Sequence, residues 1–147
     1  MTFTSMYKSR AHAEQSKQEI KCDVTNSNPL APVVLPKAGA VLTVGCLECA
    51  CKDLDTYWAV LRNLSSLLKI GGHLIITSIL GSTSFMSGSK QFSILTLEEE
   101  FLRKAVMEAG LAIKDLELLP RDYDKEVFQF CDYDCNIYLV ACKKNDV

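Results

Sequence analysis

The sequence predicts an α/β fold whose sheet is mostly parallel, and three observations lead to this prediction. Residues 40–47 and 73–80 form two nearly continuous apolar segments, typical of strands buried on both faces of a parallel sheet. A helical pattern separates them, so the three elements form a βαβ unit with a right-handed crossover. A second helical pattern then precedes two further apolar segments, and such alternation is typical of α/β proteins.

The chain before the βαβ unit is polar and rich in turn formers. Residues 1–19 are either a polar tail or part of a solvated helix over residues 10–20, since they hold good helix formers and neither Pro nor Gly. Residues 20–24 predict a short strand. The turn formers and three prolines of residues 25–36 predict an extended loop. We expect one domain over residues 1–147.

The helix of the βαβ unit has clear signals at both ends. Asp53 or Asp55 can cap its N-terminus. Its C-terminus is predicted near residue 69, where Gly71 and Gly72 would end it. The apolar face at helical spacing comprises Leu54, Trp58, Leu61, Leu64 or Ser65, and Leu68.

The C-terminal half predicts a hairpin, a helix and two strands. Residues 81–91, rich in Ser and Gly, form a long loop or a small hairpin. Residues 96–99 have the form of a capping box, and the helix that they open would end at Gly110. Residues 112–119 and 136–142 predict strands, and the last one would return antiparallel at one side of the sheet. The predicted buried face of the helix comprises Leu97, Phe101, Ala105 and Ala109.

Composition excludes several classes of function. The 147 residues include 16 Lys and Arg against 18 Asp and Glu, so the net charge of -2 disfavours binding to nucleic acid through phosphate neutralisation. The longest apolar run, residues 74–80, is far shorter than the ~18 residues of a membrane span. The first ten residues have no apolar segment typical of a signal peptide. We therefore expect a cytoplasmic protein whose seven cysteines are reduced.

The cysteines have two interpretations. Cys46, Cys49 and Cys51 are close enough in sequence to bind zinc, and Cys131 or Cys135 could supply the fourth ligand. Cys46, however, lies in an apolar strand, where a thiol packs as a small core side chain. The sequence favours packing and predicts no metal site.

Acidic residues follow two of the predicted strands. In parallel sheets ligands bind beyond the carboxyl ends of the strands, where Asp23, Glu48 and Ser78 are expected. A carboxylate there can accept hydrogen bonds from an exocyclic amine or an ammonium group. Equally, each acid can cap a turn or a helix. The acidic and aromatic residues 121–134 form either a solvated surface or the wall of an amine pocket.

Four segments carry a resemblance to a known family. Residues 21–25 read Lys-Cys-Asp-Val-Thr, residues 46–51 read Cys-Leu-Glu-Cys-Ala-Cys, residues 66–74 read Ser-Leu-Leu-Lys-Ile-Gly-Gly-His-Leu, and residues 139–141 read Leu-Val-Ala. With these segments the chain resembles the nicotinamide N-methyltransferase family, which includes indolethylamine (thioether) and phenylethanolamine N-methyltransferases. The resemblance covers about residues 15–145.

The resemblance implies a fold and an activity. The fold is a doubly wound, Rossmann-like sheet with a reversed last strand. The cofactor is S-adenosylmethionine, whose methyl group passes to the nitrogen of a small amine or to a thioether. The first two strands and the glycine-rich turn of the family lie upstream of residue 22, so this chain is expected to hold the C-terminal half. The alternative is a truncated, inactive paralogue that binds no cofactor and self-associates through its incomplete sheet.

The resemblance also implies roles for individual residues. The cofactor would contact Asp23, Val24, Val44, Gly45 and Cys49, with Asp23 accepting from the adenine amine. Glu48 and Asp132 would orient the acceptor or take its proton. The acceptor pocket would include Ser78, Ser82, Phe85 and Ile94.

Three of the pocket positions depart from the nicotinamide branch. That branch has an aspartate at position 78, a tyrosine at position 85 and a serine at position 94. All three can bond a carboxamide, whereas the present chain has a shorter hydroxyl and two apolar side chains there. Recognition of a buried amide rests on paired hydrogen bonds. These differences predict another small amine, or a thioether, as the acceptor.

Overall fold

The computed structural model describes residues 20–121 and 131–145. The two interpretations of residues 1–19 lie outside this range. The elements in chain order are β1 (Ala38–Val44), α1 (Leu47–Ala50), α2 (Leu54–Leu67), β2 (Leu68–Leu80), β3 (Ser84–Ser87), β4 (Lys90–Ser93), α3 (Glu99–Glu108), β5 (Leu111–Pro120) and β6 (Cys135–Lys143).

The main sheet has the strand order β1-β2-β6-β5. β1 pairs parallel with β2, and β6 pairs antiparallel with both β2 and β5. Three of these four strands therefore run in one direction and the last strand is reversed, which confirms the predicted α/β class. The reversed strand lies between β2 and β5 instead of at an edge, and its alternate residues Ile137, Leu139 and Ala141 are fully buried.

One face of this sheet carries the helices and the core. Buried side chains alternate along β2, at Leu74, Ile76, Ser78 and Leu80, so they all point to the same face. The helices α2 and α3 pack together on that face, where the rings of Tyr57 and Phe101 meet edge to face at 5.9 Å.

The prediction that the first strand is buried on both faces was wrong. Among the residues of β1 only Thr43 is buried, while Leu42 and Val44 are 64% and 61% exposed. The reason is tertiary. In the described residues β1 pairs with β2 alone. The helices cover only the face of the sheet opposite the side chains of Leu42 and Val44.

Residues 20–24 do not form the predicted strand. They lead into a loop in which Asp23 Oδ1 accepts from the backbone N–H and the hydroxyl of Thr25, at 3.1 and 2.6 Å. The backbone N–H of Asp23 also donates to the carbonyl of Pro29 at 2.8 Å. Such local bonds compete with a strand ladder. The loop predicted for residues 25–36 is confirmed.

The structure decides which aspartate caps α2. Asp53 Oδ1 accepts from the N–H of Thr56 at 2.7 Å and from its hydroxyl at 2.6 Å, while Asp55 lies in the first turn. The helix then buries a face that is rotated from the predicted one. Its buried residues are Tyr57, Val60, Leu61, Leu64 and Ser65, whereas Leu54 is exposed and Trp58 is half-buried.

The glycine pair does not end α2. The helix stops at Leu67, and β2 continues through Gly71 and Gly72. A Cβ atom at Gly72 would lie 2.9 Å from the carbonyl of Lys69 and 3.1 Å from that of Ala38. Gly72 therefore allows close backbone approach where the register of β1 and β2 shifts, while Gly71 has φ +80°, a conformation that favours glycine.

In residues 81–110 the structure confirms the predicted hairpin and the predicted end of the helix at Gly110, whereas the predicted capping box does not form. β3 and β4 form an antiparallel hairpin. Helix α3 begins at Glu99 after Glu98, whose side chain makes no cap bond. The segment before the helix is instead held by a backbone hydrogen bond. The N–H of Gly81, which follows β2, donates to the carbonyl of Leu97 at 3.0 Å. Gly110 follows the helix with φ +80°, as a C′ glycine does. Leu97, Ala105 and Ala109 are buried as predicted, with Phe101 half-buried and Leu102 and Val106 added.

None of the helices described is both long and apolar enough to cross a membrane.

Replacing Asp53 with Ala is expected to lower the melting temperature by about 3 °C, because α2 loses its N-terminal cap. The Thr56 hydrogen bonds lower the pKa of Asp53. The capping contribution is therefore complete above the ordinary Asp pKa and is lost as the pH falls through the lowered value. Thermal denaturation followed by circular dichroism measures both effects. Asp55→Ala is the matched control, and an equal loss in the control would contradict the assignment of the cap.

Candidate functional site

A cavity of about 330 Å³ lies at the carboxyl ends of β1 and β2. Ligands of open α/β sheets bind at this edge. Ten residues line the cavity: Val44, Gly45, Glu48, Cys49, Thr77, Ser78, Ile79, Phe85, Ile94 and Asn136.

The turn after β1 brings Glu48 into the cavity. Gly45 has φ +56°, a conformation that favours glycine, and its N–H donates to the carbonyl of Thr77 at 2.9 Å. The chain thereby leaves the sheet and enters α1, whose first turn carries Glu48. The carbonyl of Glu48 accepts from the N–H of Leu95 at 2.9 Å, which fixes α1 against the segment before α3.

Glu48 is a buried acid, only 2% exposed. Burial raises the pKa of its carboxyl group, because the charged form loses its hydration. The backbone N–H of Glu48, the nearby Ser78 hydroxyl and the backbone N–H of Ile79 favour the charged form and oppose part of this rise. The carboxyl group therefore keeps its proton to a higher pH than an exposed glutamate does.

The hydroxyl of Ser78 is the second polar group of the cavity. The residue is 3% exposed, and its Oγ atom makes no hydrogen bond of normal geometry with the residues that the structure describes. The Ser78 hydroxyl lies near the Glu48 carboxyl group and favours its charged form, so the two side chains form a polar pair in the cavity.

The cysteines beside the cavity are protonated. Burial raises the pKa of the Cys49 thiol to about 11 and that of the Cys51 thiol to about 12. Thiols act as nucleophiles and metal ligands only when they lose their protons. Within residues 20–121 and 131–145 no group of three or more His, Cys, Asp or Glu is placed to hold a metal ion.

Most of the predicted site residues meet at this cavity. Those that line it are Val44, Gly45, Glu48, Cys49, Ser78, Phe85 and Ile94. Four others lie outside its lining: Asp23, Val24, Ser82 and Asp132. What each of these residues contacts when a ligand is bound stays a prediction.

Ser82 and Asp132 lie together outside the lining of the cavity. Asp132 Oδ1 accepts from the hydroxyl of Ser82 at 2.9 Å and from the backbone N–H groups of Thr83 and Ser84 at 2.9 and 3.1 Å. Asp132 Oδ2 accepts from the Thr83 hydroxyl. These bonds, the Thr83 hydroxyl first among them, hold the pKa of Asp132 far below its usual range.

Asp23 and Val24 lie in the loop before β1. Asp23 is exposed, and both hydrogen bonds that Thr25 gives it use Oδ1. Val24 packs against the core, and its carbonyl accepts from Asn63 at 3.2 Å. The neighbouring Cys22 lies within electrostatic range of Cys46 at the start of α1, so this loop lies near the cavity.

Three lining residues were missed by sequence reasoning: Thr77, Ile79 and Asn136. Thr77 and Ile79 are the neighbours of Ser78 in β2. The prediction that Ser78 belongs to the site was therefore the available signal for both. Asn136 enters because its strand pairs with β2 in a register that sets it opposite Ile79. No local pattern encodes that register.

Comparison with known proteins links this geometry to a family. The model of the NNMT/PNMT/TEMT family matches residues 4–145. Indolethylamine N-methyltransferase of Oryctolagus cuniculus is 51% identical over 107 residues, which are 73% of this chain and 41% of that protein. Nicotinamide N-methyltransferase of Homo sapiens is 50% identical over 73% of this chain and 40% of its own length. The chain thus spans about two fifths of the length of these relatives.

Solved structures show the same fold at low identity. A 1,6-didemethyltoxoflavin-N1-methyltransferase from Burkholderia thailandensis covers 92% of this chain and 56% of its own, with a TM-score of 0.61 at 15% identity. A S-adenosylmethionine-dependent methyltransferase from Clostridium acetobutylicum covers 92% of this chain and 69% of its own, with a TM-score of 0.60 at 16% identity. The Rossmann-like methyltransferase fold is confirmed.

Replacing Glu48 with Gln is expected to make stability less dependent on pH. A carboxyl group whose pKa rises on folding stabilises fully below its unfolded value and loses that contribution as the pH rises through the folded value. The free energy of unfolding of the variant should therefore rise relative to that of the wild type as the pH increases above the ordinary pKa of a glutamate, by about 1.4 kcal/mol for each unit of pKa increase.

Urea denaturation across this pH range measures the difference in unfolding free energy. The exposed Glu117 supplies the control variant Glu117→Gln, for which the difference should stay flat. A flat difference for Glu48→Gln would show that Glu48 is not buried in solution.

Proposed function

The chain belongs to the NNMT/PNMT/TEMT family, and on that premise we propose that the protein transfers a methyl group from S-adenosylmethionine to the nitrogen of a small amine. Its relatives include indolethylamine, nicotinamide and phenylethanolamine N-methyltransferases. The observation that supports this activity most is a buried carboxyl group, Glu48, in the same cavity as the buried Ser78 hydroxyl.

The residues present fit the cofactor. The cavity lies at the carboxyl ends of two parallel strands, and the side chains of Glu48 and Ser78 supply polar groups that a ligand can contact there. Val44, Gly45 and Cys49 form the side from which β1 enters. Asp23, in the loop nearby, has its Oδ2 atom free of bonds from the described residues, and that atom can accept from an exocyclic amine.

Glu48 is suited to manage the proton of the acceptor amine. Bound S-adenosylmethionine supplies a methyl group on a positively charged sulfur, and an amine can attack it only with a free electron pair. A carboxyl group with a raised pKa exchanges protons closer to neutral pH than an ordinary glutamate does. Positioning of the amine beside the bound cofactor supplies the rest of the rate acceleration, since the reaction needs no covalent intermediate.

The cavity wall favours an acceptor with an aromatic or apolar part. Phe85 stacks on Phe92 with ring centroids 5.4 Å apart, and Ile94 lies beside it. A second cavity of about 610 Å³ adjoins the first across Cys49 and Ile94 and provides room for a longer acceptor. At positions 78, 85 and 94 the amide of nicotinamide would meet a serine, a phenylalanine and an isoleucine in place of the three amide-bonding side chains of the nicotinamide branch, which supports an arylalkylamine or a thioether as the acceptor.

Two further features bear on the setting of the protein. All seven cysteines are free thiols, which suits the reducing cytoplasm. The net charge of -2 does not suit a nucleic-acid partner.

One observation favours the alternative of an inactive paralogue that acts through protein contact. Leu42 and Val44 are exposed on β1, which is an edge strand within the described residues and carries no charged residue. Such an edge invites pairing with another chain.

S-adenosylmethionine is expected to stabilise the protein against thermal unfolding. A ligand at one hundred times its Kd adds about 2.7 kcal/mol to the free energy of unfolding. Differential scanning calorimetry with increasing cofactor measures this gain, and methionine at equal concentration is the control. A melting temperature that does not respond to the cofactor would contradict the proposed function and favour the inactive paralogue.

Replacing Asp23 with Asn is expected to weaken cofactor binding roughly tenfold, because an amide N–H₂ group replaces the second carboxylate oxygen and cannot accept from an amine. The Oδ1 atom remains, so the bonds from Thr25 and the melting temperature should be kept. Isothermal titration calorimetry measures the affinity, with Asp115→Asn as the control on an exposed acid of β5. Wild-type affinity in Asp23→Asn would remove Asp23 from the site.

A further inference from the structure

A single acidic side chain joins two segments beside the cavity. The first is residues 131–134, which precede β6, and the second is residues 81–84, which enter β3. The carboxylate of Asp132 accepts four hydrogen bonds from three successive residues of the second segment, as described above. Three of these bonds converge on one oxygen atom, Oδ1. We call this set of bonds the Asp132 clasp.

Other contacts fix the position of the clasp. The N–H of Asp134 donates to the carbonyl of Leu80 at 2.9 Å. Gly81, with φ +72°, lets Asp134 approach so closely that an added Cβ atom would lie 2.0 Å from its Oδ2 atom. The guanidinium group of Arg121 donates to the carbonyls of Cys131 and Tyr133 at 3.0 and 3.2 Å. Residues 131–134 are therefore held on both sides, and Asp132 meets the hairpin in a defined place.

The clasp ends one residue before a wall of the cavity. Phe85 follows Ser84 directly, pairs with Cys131 through an isolated antiparallel bridge and lines the cavity opposite Glu48. Asp132 itself is exposed and does not line the cavity. Its influence on a ligand must therefore pass through the backbone of residues 83–85.

The carboxylate has little capacity left for a ligand. An ionised carboxylate offers about four lone-pair sites in total. Three bonds of the clasp fall on Oδ1 and one falls on Oδ2, so a single lone pair of Oδ2 is left, and Asp132 does not line the cavity in which an acceptor amine would lie.

We propose that Asp132 is a positioning residue, which holds the start of β3 so that Phe85 forms the aromatic wall of the acceptor site. It sets the affinity for an aryl amine through the placement of Phe85 and does not bind the amine. The effect on the acceptor rests on the proposed function, whereas the effect on the hairpin does not.

Hydrogen exchange tests the clasp without any need for activity. In Asp132→Ala the amides of Thr83 and Ser84 lose their acceptor and should exchange at least about tenfold faster than in the wild type. Asp132→Asn keeps the Oδ1 acceptor and should exchange nearly as the wild type does. Asp115→Asn on β5 is the control for loss of an exposed charge. Unchanged exchange in Asp132→Ala would overturn the clasp.

Steady-state kinetics with 2-phenylethylamine as acceptor test the effect on the site. The Ala variant should raise KM roughly tenfold with kcat nearly kept, and the Asn variant should restore KM. A direct ionic contact with the amine predicts the opposite for Asn, because the neutral amide would be as poor as Ala. Wild-type KM in Asp132→Ala, or Asn as impaired as Ala, would overturn the positioning role.

A double-mutant cycle with Phe85→Leu completes the test. If Asp132 acts through Phe85, the fold-increase in KM of the double variant should be smaller than the product of the two single increases. Phe85→Leu already removes the ring that Asp132 positions. Multiplicative effects would show that the two residues act independently and would overturn the proposal. Absence of methyl transfer in the wild type would contradict the proposed function alone, and hydrogen exchange would still decide the clasp.

Discussion

The pairing of β2 with a parallel strand on one side and a reversed strand on the other is the constraint on which the structure depends. Its alternate side chains fill the core beneath α2 and α3, and its backbone sets the register of β1 and β6. The carboxyl end of the same strand carries Ser78 into the cavity. A shift of one residue in the pairing register of β2 would turn Ser78 away from the cavity. The same shift would expose the core side chains of β2, so the fold and the site depend on one register.

The polar groups of the site stand in contrast to those of the neighbouring hairpin. Glu48 is buried without enough hydrogen bonds to offset its lost hydration, and its pKa rises. Asp132 is exposed and saturated with hydrogen bonds, and its pKa falls. Two carboxyl groups near one cavity are thus pushed in opposite directions by their surroundings. The first keeps the capacity to exchange a proton with a ligand, while the second is committed to holding the chain.

Sequence patterns located most of the elements and much of the site, and the misses share a cause. The residues at the carboxyl ends of β1 and β2 converge because parallel strands end at one edge. The capping box, the strand at residues 20–24 and the glycine stop failed because each local signal competes with hydrogen bonds or backbone contacts that the pattern does not reveal. Gly72 serves the close approach of two backbones, and Thr96 lies in a segment bound to Glu48 and Gly81 through its neighbours.

The sequence by itself determined the α/β class, the reversed last strand, the glycine at the end of α3 and the family resemblance, because periodicity, turn chemistry and motif spelling are local properties. Only the tertiary structure decided that β6 lies between β2 and β5, that β1 is an exposed edge in the described residues, and that Asn136 joins the cavity. It also decided that Asp132 faces a hairpin and not the cavity. These features depend on strand order and register, which are set by contacts between residues far apart in the chain.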